Sequence, residues 1–340
     1  MSNAAVLNLT VLACLAAVPC ARAAAALDTW AGVIGGAGNG SIAQNCTIYG
    51  PPASLGFFTF NGFVVPSGGV AACGYSGTVT QTTAANGPLT QSGSLAPVIL
   101  GNPGFSGFYD GSAAAVASYG GLGASAHANI SGGIPGSPSA LFESVGAARF
   151  SDTLAAFSPL VANGTAGSVR YRFSVDGLST SLGAPGAFLF GQTYVVLDVQ
   201  HDADGVYEVM NANVARGSIG TISNSAPPAG WTTSMGSLGG SSTFFSLDLP
   251  MTWGTAWDLK VGLMAFAYGT ADANFMSTAK LTGVTLYNAS HTAISDFSLT
   301  AASGTNYVSA VPEPASAVLW LAGLGGLGAL VRRARRKIAP

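Results

Sequence analysis

Charge is scarce in this chain. Lysine, arginine, aspartate and glutamate together make up 8% of its 340 residues, against about a quarter in an ordinary soluble domain. Basic residues are scarcer still in the long middle: between positions 24 and 311 only Arg149, Arg170, Arg172, Arg216, Lys260 and Lys280 are basic. That excludes a nucleic-acid-binding body, because neutralising phosphates takes clustered lysine and arginine. The same stretch holds 13 acids against these six bases, a formal −7, although the whole chain stands at −2. The body is therefore acidic and the tail basic, which suits an extracellular setting. With 49% hydrophobic residues, low charge also excludes a solvated disordered tail as the main body.

Other absences narrow the fold. No long helical period runs outside the termini, which excludes a helix bundle, and no exact internal repeat marks a solenoid. There is no Walker loop and no Gly-x-Ser-x-Gly elbow. Gly323-x-Gly325-x-x-Gly328 matches the dinucleotide fingerprint in form only, because no strand precedes it and the apolar run around it leads to the C-terminus. Cysteine is nearly absent too: of four, Cys14 and Cys20 fall in the first 23 residues, leaving Cys46 and Cys73. Those two allow one disulfide, worth about 3 to 4 kcal/mol in the chain-entropy model, or stand as separate buried thiols.

What is abundant is glycine, 47 residues, with short stretches alternating at period two. "SVRYRFSVDG" puts Val169, Tyr171, Phe173 and Val175 on one face and Arg170, Arg172 and Ser174 on the other, a half-buried strand. "TYVVLDVQ" and "GVYEVMNANVAR" read as a hairpin across "HDADG". "TFFSLDLP", "WDLKVGLMAFAYG", "AKLTGVTLYNA" and "AISDFSLTAA" have strand lengths with turn residues between them. "YDGSAAAVASYGGLGASAHANISGG" reads as a small-residue strand with thin packing, expected to pair with the strand in "ARFSDTLAAF". Short, regularly punctuated strands predict an all-β fold, a β-sandwich or jelly-roll-like body. It is expected over 24–310 as one continuous unit, with a subdivision near 131–147 as the alternative.

Two apolar segments flank that body. Residues 1–23 contain "AAVLNLTVLACLAAVP" followed by Ala21-Arg22-Ala23, the small-x-small form of a signal peptidase site, and predict a cleaved signal helix. Ala315 to Val331 is a 17-residue run without charge, long enough for a single C-terminal transmembrane helix. Arg332, Arg333, Arg335, Arg336 and Lys337 follow it directly and orient the span with the C-terminus inside and the body outside. Pro312, Glu313 and Pro314 stand just ahead of the span, where proline stops the last strand from running into it.

Val311-Pro312-Glu313-Pro314, a short span and an arginine-rich tail, in that order over Val311 to Lys337, resemble the PEP-CTERM sorting signal of Gram-negative bacteria. The resemblance implies that segment 311–340 is a sorting and anchoring device. Pro312, Glu313 and Pro314 are then the recognition residues of an exosortase-type membrane protease that removes the helix. It further implies an exported protein, held in the inner membrane before processing and destined for the cell surface or an exopolysaccharide-rich matrix. A non-enzymatic surface or matrix role is the expectation, with a carbohydrate-binding module or an extracellular hydrolase as alternatives.

Candidate sites in the body are few. Asp198, Asp202, Asp204 and Glu208 are closely spaced carboxylates beside Gly205, the oxygen donors that calcium takes. The competing reading makes Asp202 to Gly205 a hairpin turn, with Asp198 and Glu208 on exposed strand faces. No other cofactor is expected. His127, His201 and His291 lack zinc-ligand spacing, and each is expected on a solvent-facing strand or turn. One sequence leaves open a triad assembled from distant residues. Tyr75, Tyr109, Tyr119, Trp231, Trp253, Trp257 and Tyr268 are candidates for a sugar-stacking surface, or for core and turn packing.

Overall fold

The structure, a computed structural model, describes residues 25–37, 76–99, 108–131, 140–181, 191–202, 206–215, 231–234 and 243–308. The signal segment at 1–23, Cys46, Cys73, Asp204 and all of 311–340 fall outside these residues. Within them every regular element is a strand: β1 (Ala26–Ala37), β2 (Ser76–Ala84), β3 (Leu89–Ile99), β4 (Phe108–Ser118), β5 (Gly121–Ser131), β6 (Ala140–Phe157), β7 (Ala166–Val175) and β8 (Leu178–Ser181), then β9 (Gln192–His201), β10 (Val206–Ala215), β11 (Trp231–Ser234), β12 (Thr243–Thr252), β13 (Ala256–Tyr268), β14 (Ala271–Asn288), β15 (Ala293–Ile294) and β16 (Ser298–Ala301).

The strands form two antiparallel sheets. One has the order β10-β9-β13-β6-β1-β2, with β16 also on β6; the other has the order β11-β12-β7-β14-β5-β4-β3, with β8 and β15 on β14. Face to face, they make the all-β sandwich that the alternating sequence predicts. β7 follows the alternation closely: Val169, Tyr171, Phe173 and Val175 are buried, Arg170 is half-exposed and Arg172 exposed. The hairpin expected around 198–208 also forms, with Asp198 opposite Glu208.

One pairing differs from expectation. The alanine- and serine-rich piece is a hairpin, β4 and β5, turning at Tyr119-Gly120, where Gly120 adopts a φ of +80°. It does not hydrogen-bond to β6 but lies across from it in the other sheet. Thin packing is the reason for that composition. Ala113, Ala115, Ala117, Ala124, Ala126 and Ala128 turn inward, and opposite them a Cβ on Gly146 would fall 2.2 Å from the Ala114 carbonyl oxygen and 2.6 Å from that of Ser125. Small residues let the two backbones approach. Larger side chains take over farther along, where Phe150, Leu154, Tyr171, Phe173, Trp253 and Trp257 fill the same interior.

The seven-stranded sheet is buried on its outward face as well. Trp30, Ile34, Val145, Val196, Met264 and Phe266 point away from the other sheet and are at most 6% exposed. Two-sided burial explains why "VGLMAFA" in β13 is a continuous apolar run rather than an alternating one. On the nine-stranded sheet the outward face carries Ser112, Asn274, Lys280 and Thr285, all exposed.

Both ends of the described body meet on β6. Ala301 of β16 lies opposite Leu154, and Ala26 of β1 lies opposite Ser151. The two strands run antiparallel to β6, so β16 and β1 occupy a single strand position end to end.

Candidate functional site: the root of the C-terminal segment

Beyond β16 the chain is tied back into the core through one carboxylate. Asp152, on the inward face of β6, is 2% exposed. Its Oδ1 accepts the N–H groups of Thr153 (2.9 Å) and Ser303 (3.0 Å), and its Oδ2 accepts the Tyr307 hydroxyl (2.7 Å) and the Ser303 hydroxyl. Four donors make a buried carboxylate tenable without a cation beside it. Tyr307 is 5% exposed, stacks on Phe150 at 6.3 Å and covers Gly120. Burial, then the Asp152 carboxylate, push its phenol well above the ordinary value. Tyr119 closes the other side, edge-on to Phe150, and donates to the Ala85 carbonyl at 2.6 Å. Burial and Asp152 raise its phenol as well.

The carboxylates singled out for calcium are arranged differently. Asp198 is fully buried, which corrects the expectation of an exposed strand face. It belongs to a row across the outward side of the seven-stranded sheet: Thr83, Asp28, Arg149, Gly262 and Asp198 are successive register partners, and Glu208 is the next by backbone register. In that row Arg149 Nε donates to Asp28 Oδ2 at 2.7 Å and the Thr83 hydroxyl donates to Asp28 Oδ1 at 2.6 Å. Asp202 lies four residues beyond Asp198, about 13 Å along a strand. There its Oδ1 accepts the Asp258 N–H at 2.7 Å, and its φ of 50° fits a turn. The structure therefore does not bring Asp198 and Asp202 together; Asp204 and the Glu208 side chain fall outside the described residues. Among those residues no three His, Cys, Asp or Glu side chains converge as metal ligands.

The histidines divide. His127 stands on the open face of β5 and His291 in the turn after β14, both as expected, but His201 is 1% exposed. Its Nε2 lies 2.9 Å from the Pro250 carbonyl, an acceptor only, so that nitrogen carries the proton. Nδ1 then faces the Tyr171 hydroxyl at 3.4 Å, which in turn receives the Trp257 indole N–H at 2.6 Å. This is a polar thread through the core. Burial drives the Tyr171 phenol far up, against the opposing effect of the Trp257 hydrogen bond. Of the aromatics considered for sugar stacking, Tyr109, Trp253 and Trp257 are all core residues, 2% exposed or less. Gly254 turns the chain between the two tryptophans at a φ of +75°. Tyr75 lies outside the described residues, as does the Trp231 side chain.

One constellation came from register alone. Ser112, His127 and Asp272 are consecutive partners across β4, β5 and β14 on the solvent face of the nine-stranded sheet. His127 Nδ1 is 3.1 Å from Asp272 Oδ2, with the two side chains 44% and 47% exposed. That contact takes up Nδ1 and leaves Nε2 as the remaining nitrogen of a ring flanked by the exposed Ser112. Nothing in the sequence spacing reveals the group, since 145 residues separate His127 from Asp272.

Comparison with known proteins bears on the C-terminal segment. The family model described as PEP-CTERM protein-sorting motif matches residues 310–337. No curated protein and no solved structure matches the chain. The motif implies export by way of a membrane-anchored C-terminal sorting signal, and processing by a protease-type membrane partner, an exosortase.

Proposed function

We propose, from a chain that carries a PEP-CTERM protein-sorting motif, that the body is a non-enzymatic structural protein of the cell surface or extracellular matrix. A signal peptidase removes 1–23, the segment after 311 enters the inner membrane, and an exosortase reads Pro312, Glu313 and Pro314. Arg332, Arg333, Arg335, Arg336 and Lys337 hold the far end in the cytoplasm. The observation that carries this reading is the position of the motif, which starts at 310, three residues past Tyr307, the last core residue among those described. A device that begins beyond Tyr307 can be removed with every described core contact kept. Mass spectrometry of the mature protein tests it. Termini near Ala24 and Pro312 are expected, and a surface protein that retains Ile338-Ala339-Pro340 overturns the processing scheme.

Cys46 and Cys73 are proposed to pair in the oxidising exterior, and exopolysaccharide is the proposed matrix partner. Support for sugar stacking is thin, because Tyr109, Trp253 and Trp257 are committed to the interior. A calcium-assisted version would have to draw on Asp204 and Glu208 with a partner other than the distant Asp198–Asp202 pair.

A second reading, an extracellular hydrolase, is favoured by the Ser112–His127–Asp272 row. In that chemistry Asp272 orients His127, Nε2 takes the Ser112 hydroxyl proton as Oγ attacks an ester carbonyl, the alcohol leaves with that proton, and water then cleaves the acyl-enzyme to release the acid and restore Ser112. Against it, no hydrogen bond joins Ser112 to His127 and the row lies on an open sheet. A fluorophosphonate reagent decides: covalent labelling at Ser112, lost in His127→Ala, supports the hydrolase, and an unlabelled Ser112 removes it.

A further inference from the structure

The body's two ends fix which way it faces. β16 and β1 share one strand position, so the chain enters at Ala26 and leaves beyond Ala301 within three residues of β6. After Ala301 the chain does not swing free. The Ala302 N–H donates to the Thr153 carbonyl at 2.9 Å, and Ser303 and Tyr307 are held on Asp152. Among the described residues the last core contact is thus Tyr307, and Ala315, where the charge-free run of the sorting segment begins, is eight residues on. Fully extended, eight residues span at most about 28 Å.

Along the strand axis, the rim that stands beyond Asp152 is the end of β6. From Asp152 to Phe157 is five residues of strand, about 17 Å. Among the described residues, three large apolar side chains are exposed, and two of them sit on this rim: Phe157 at 38% and Leu160 at 67%. The third, Leu178, belongs to β8, opposite Asn274 near the far end of β14. An exposed leucine alone means little. Here it coincides with a lead whose full reach exceeds the rim by at most about 11 Å.

Resting on the sorting reading above, we infer that before processing the body stands with the Phe157–Leu160 rim against the lipid surface that the sorting segment enters, held there by the Asp152–Tyr307 latch. The occupant is the headgroup layer of that membrane. The solvent face of the nine-stranded sheet and the far ends of β1, β5 and β6 are then turned along or away from the membrane.

The test uses the full, unprocessed chain in phosphatidylcholine vesicles that carry a quenching lipid. A fluorophore is attached at Leu160→Cys or at Ser94→Cys, an exposed site on β3, in a background with the four native cysteines changed to serine. Stronger quenching at 160 than at 94 is expected, with loss of that difference when a 20-residue Gly/Ser linker is inserted after Val308. As a check independent of the cysteine background, hydrogen exchange on the unmodified chain should show added protection around 157–162 in vesicles. Equal quenching at both sites, or quenching indifferent to the linker, overturns the inference. A chain that does not float with the vesicles at all overturns the sorting reading instead.

Discussion

Asp152 concentrates several interactions in one side chain, and its replacements separate them. Asp152→Ala leaves the Ser303 N–H and the Ser303 and Tyr307 hydroxyls facing an apolar gap. A buried donor left unmet costs about 1 to 3 kcal/mol, so a loss of about 3 kcal/mol is expected in urea unfolding. Asp152→Asn keeps an acceptor and lets the Tyr307 hydroxyl reverse its role, so its loss should be smaller. Glu143 presents the opposite case. It is 3% exposed, its Oε2 has no hydrogen-bond partner, and burial holds its carboxyl well above the usual range. A carboxyl raised in the folded state contributes its full stability below the unfolded pKa, near 4.3, and loses it as pH rises toward the folded value. Glu143→Gln should therefore change stability little at pH 4 and increasingly stabilise the protein toward pH 8. Unfolding curves across that range measure it, and a difference independent of pH would place the ionised carboxylate in a paired environment.

Strands in this protein are decided by what the facing sheet permits. Gly146→Ala puts a methyl into two backbone carbonyls, and because neither can swing aside as a side chain would, the sheets must separate. A cost of about 2 to 3 kcal/mol is expected, in the range of overpacked cores, with the lost stability visible as a lower urea midpoint. The same dependence explains which elements could be read from the sequence. β7 and the β9–β10 hairpin were legible because local alternation or turn chemistry carried them. The Ala/Ser stretch reads as one strand because its turn, Tyr119-Gly120, lies among small residues that look alike on either side. Alternation reports a buried face, not which strand lies alongside or across, so the strand expected beside it, β6, is the one that faces it. Site residues were legible to the same degree. The hairpin placement of Asp202 followed from turn chemistry, whereas the burial of Asp198 depends on a sheet covered on both faces, and the His127–Asp272 contact on a register 145 residues wide.

At the scale of the whole molecule the order of synthesis runs against the order of closure. β1 comes near the start of the chain, yet its neighbour β6 is more than 100 residues later, and Arg149 reaches Asp28 across 121 positions. β6 in turn is completed only by β16, Ser303 and Tyr307, so the body cannot finish folding until the residues just before 310 are present. Loop closure over such separations makes folding slow, and the sorting segment follows three residues behind Tyr307, the last core side chain among the described residues. Two truncations bring out this dependence. A chain ending at Val308 keeps every donor to Asp152 and should match the uncleaved body in thermal unfolding. A chain ending at Phe297 loses β16 and three of the four hydrogen bonds to Asp152, leaving a carboxylate in the core with one partner, and should unfold at a clearly lower temperature or fail to fold. If the two chains melt together, the C-terminal strand is an ornament on a body that folds without it, and removal of the sorting segment carries no constraint on where the cut falls. If they separate as expected, the sandwich tolerates processing only beyond Tyr307, which is where the motif begins.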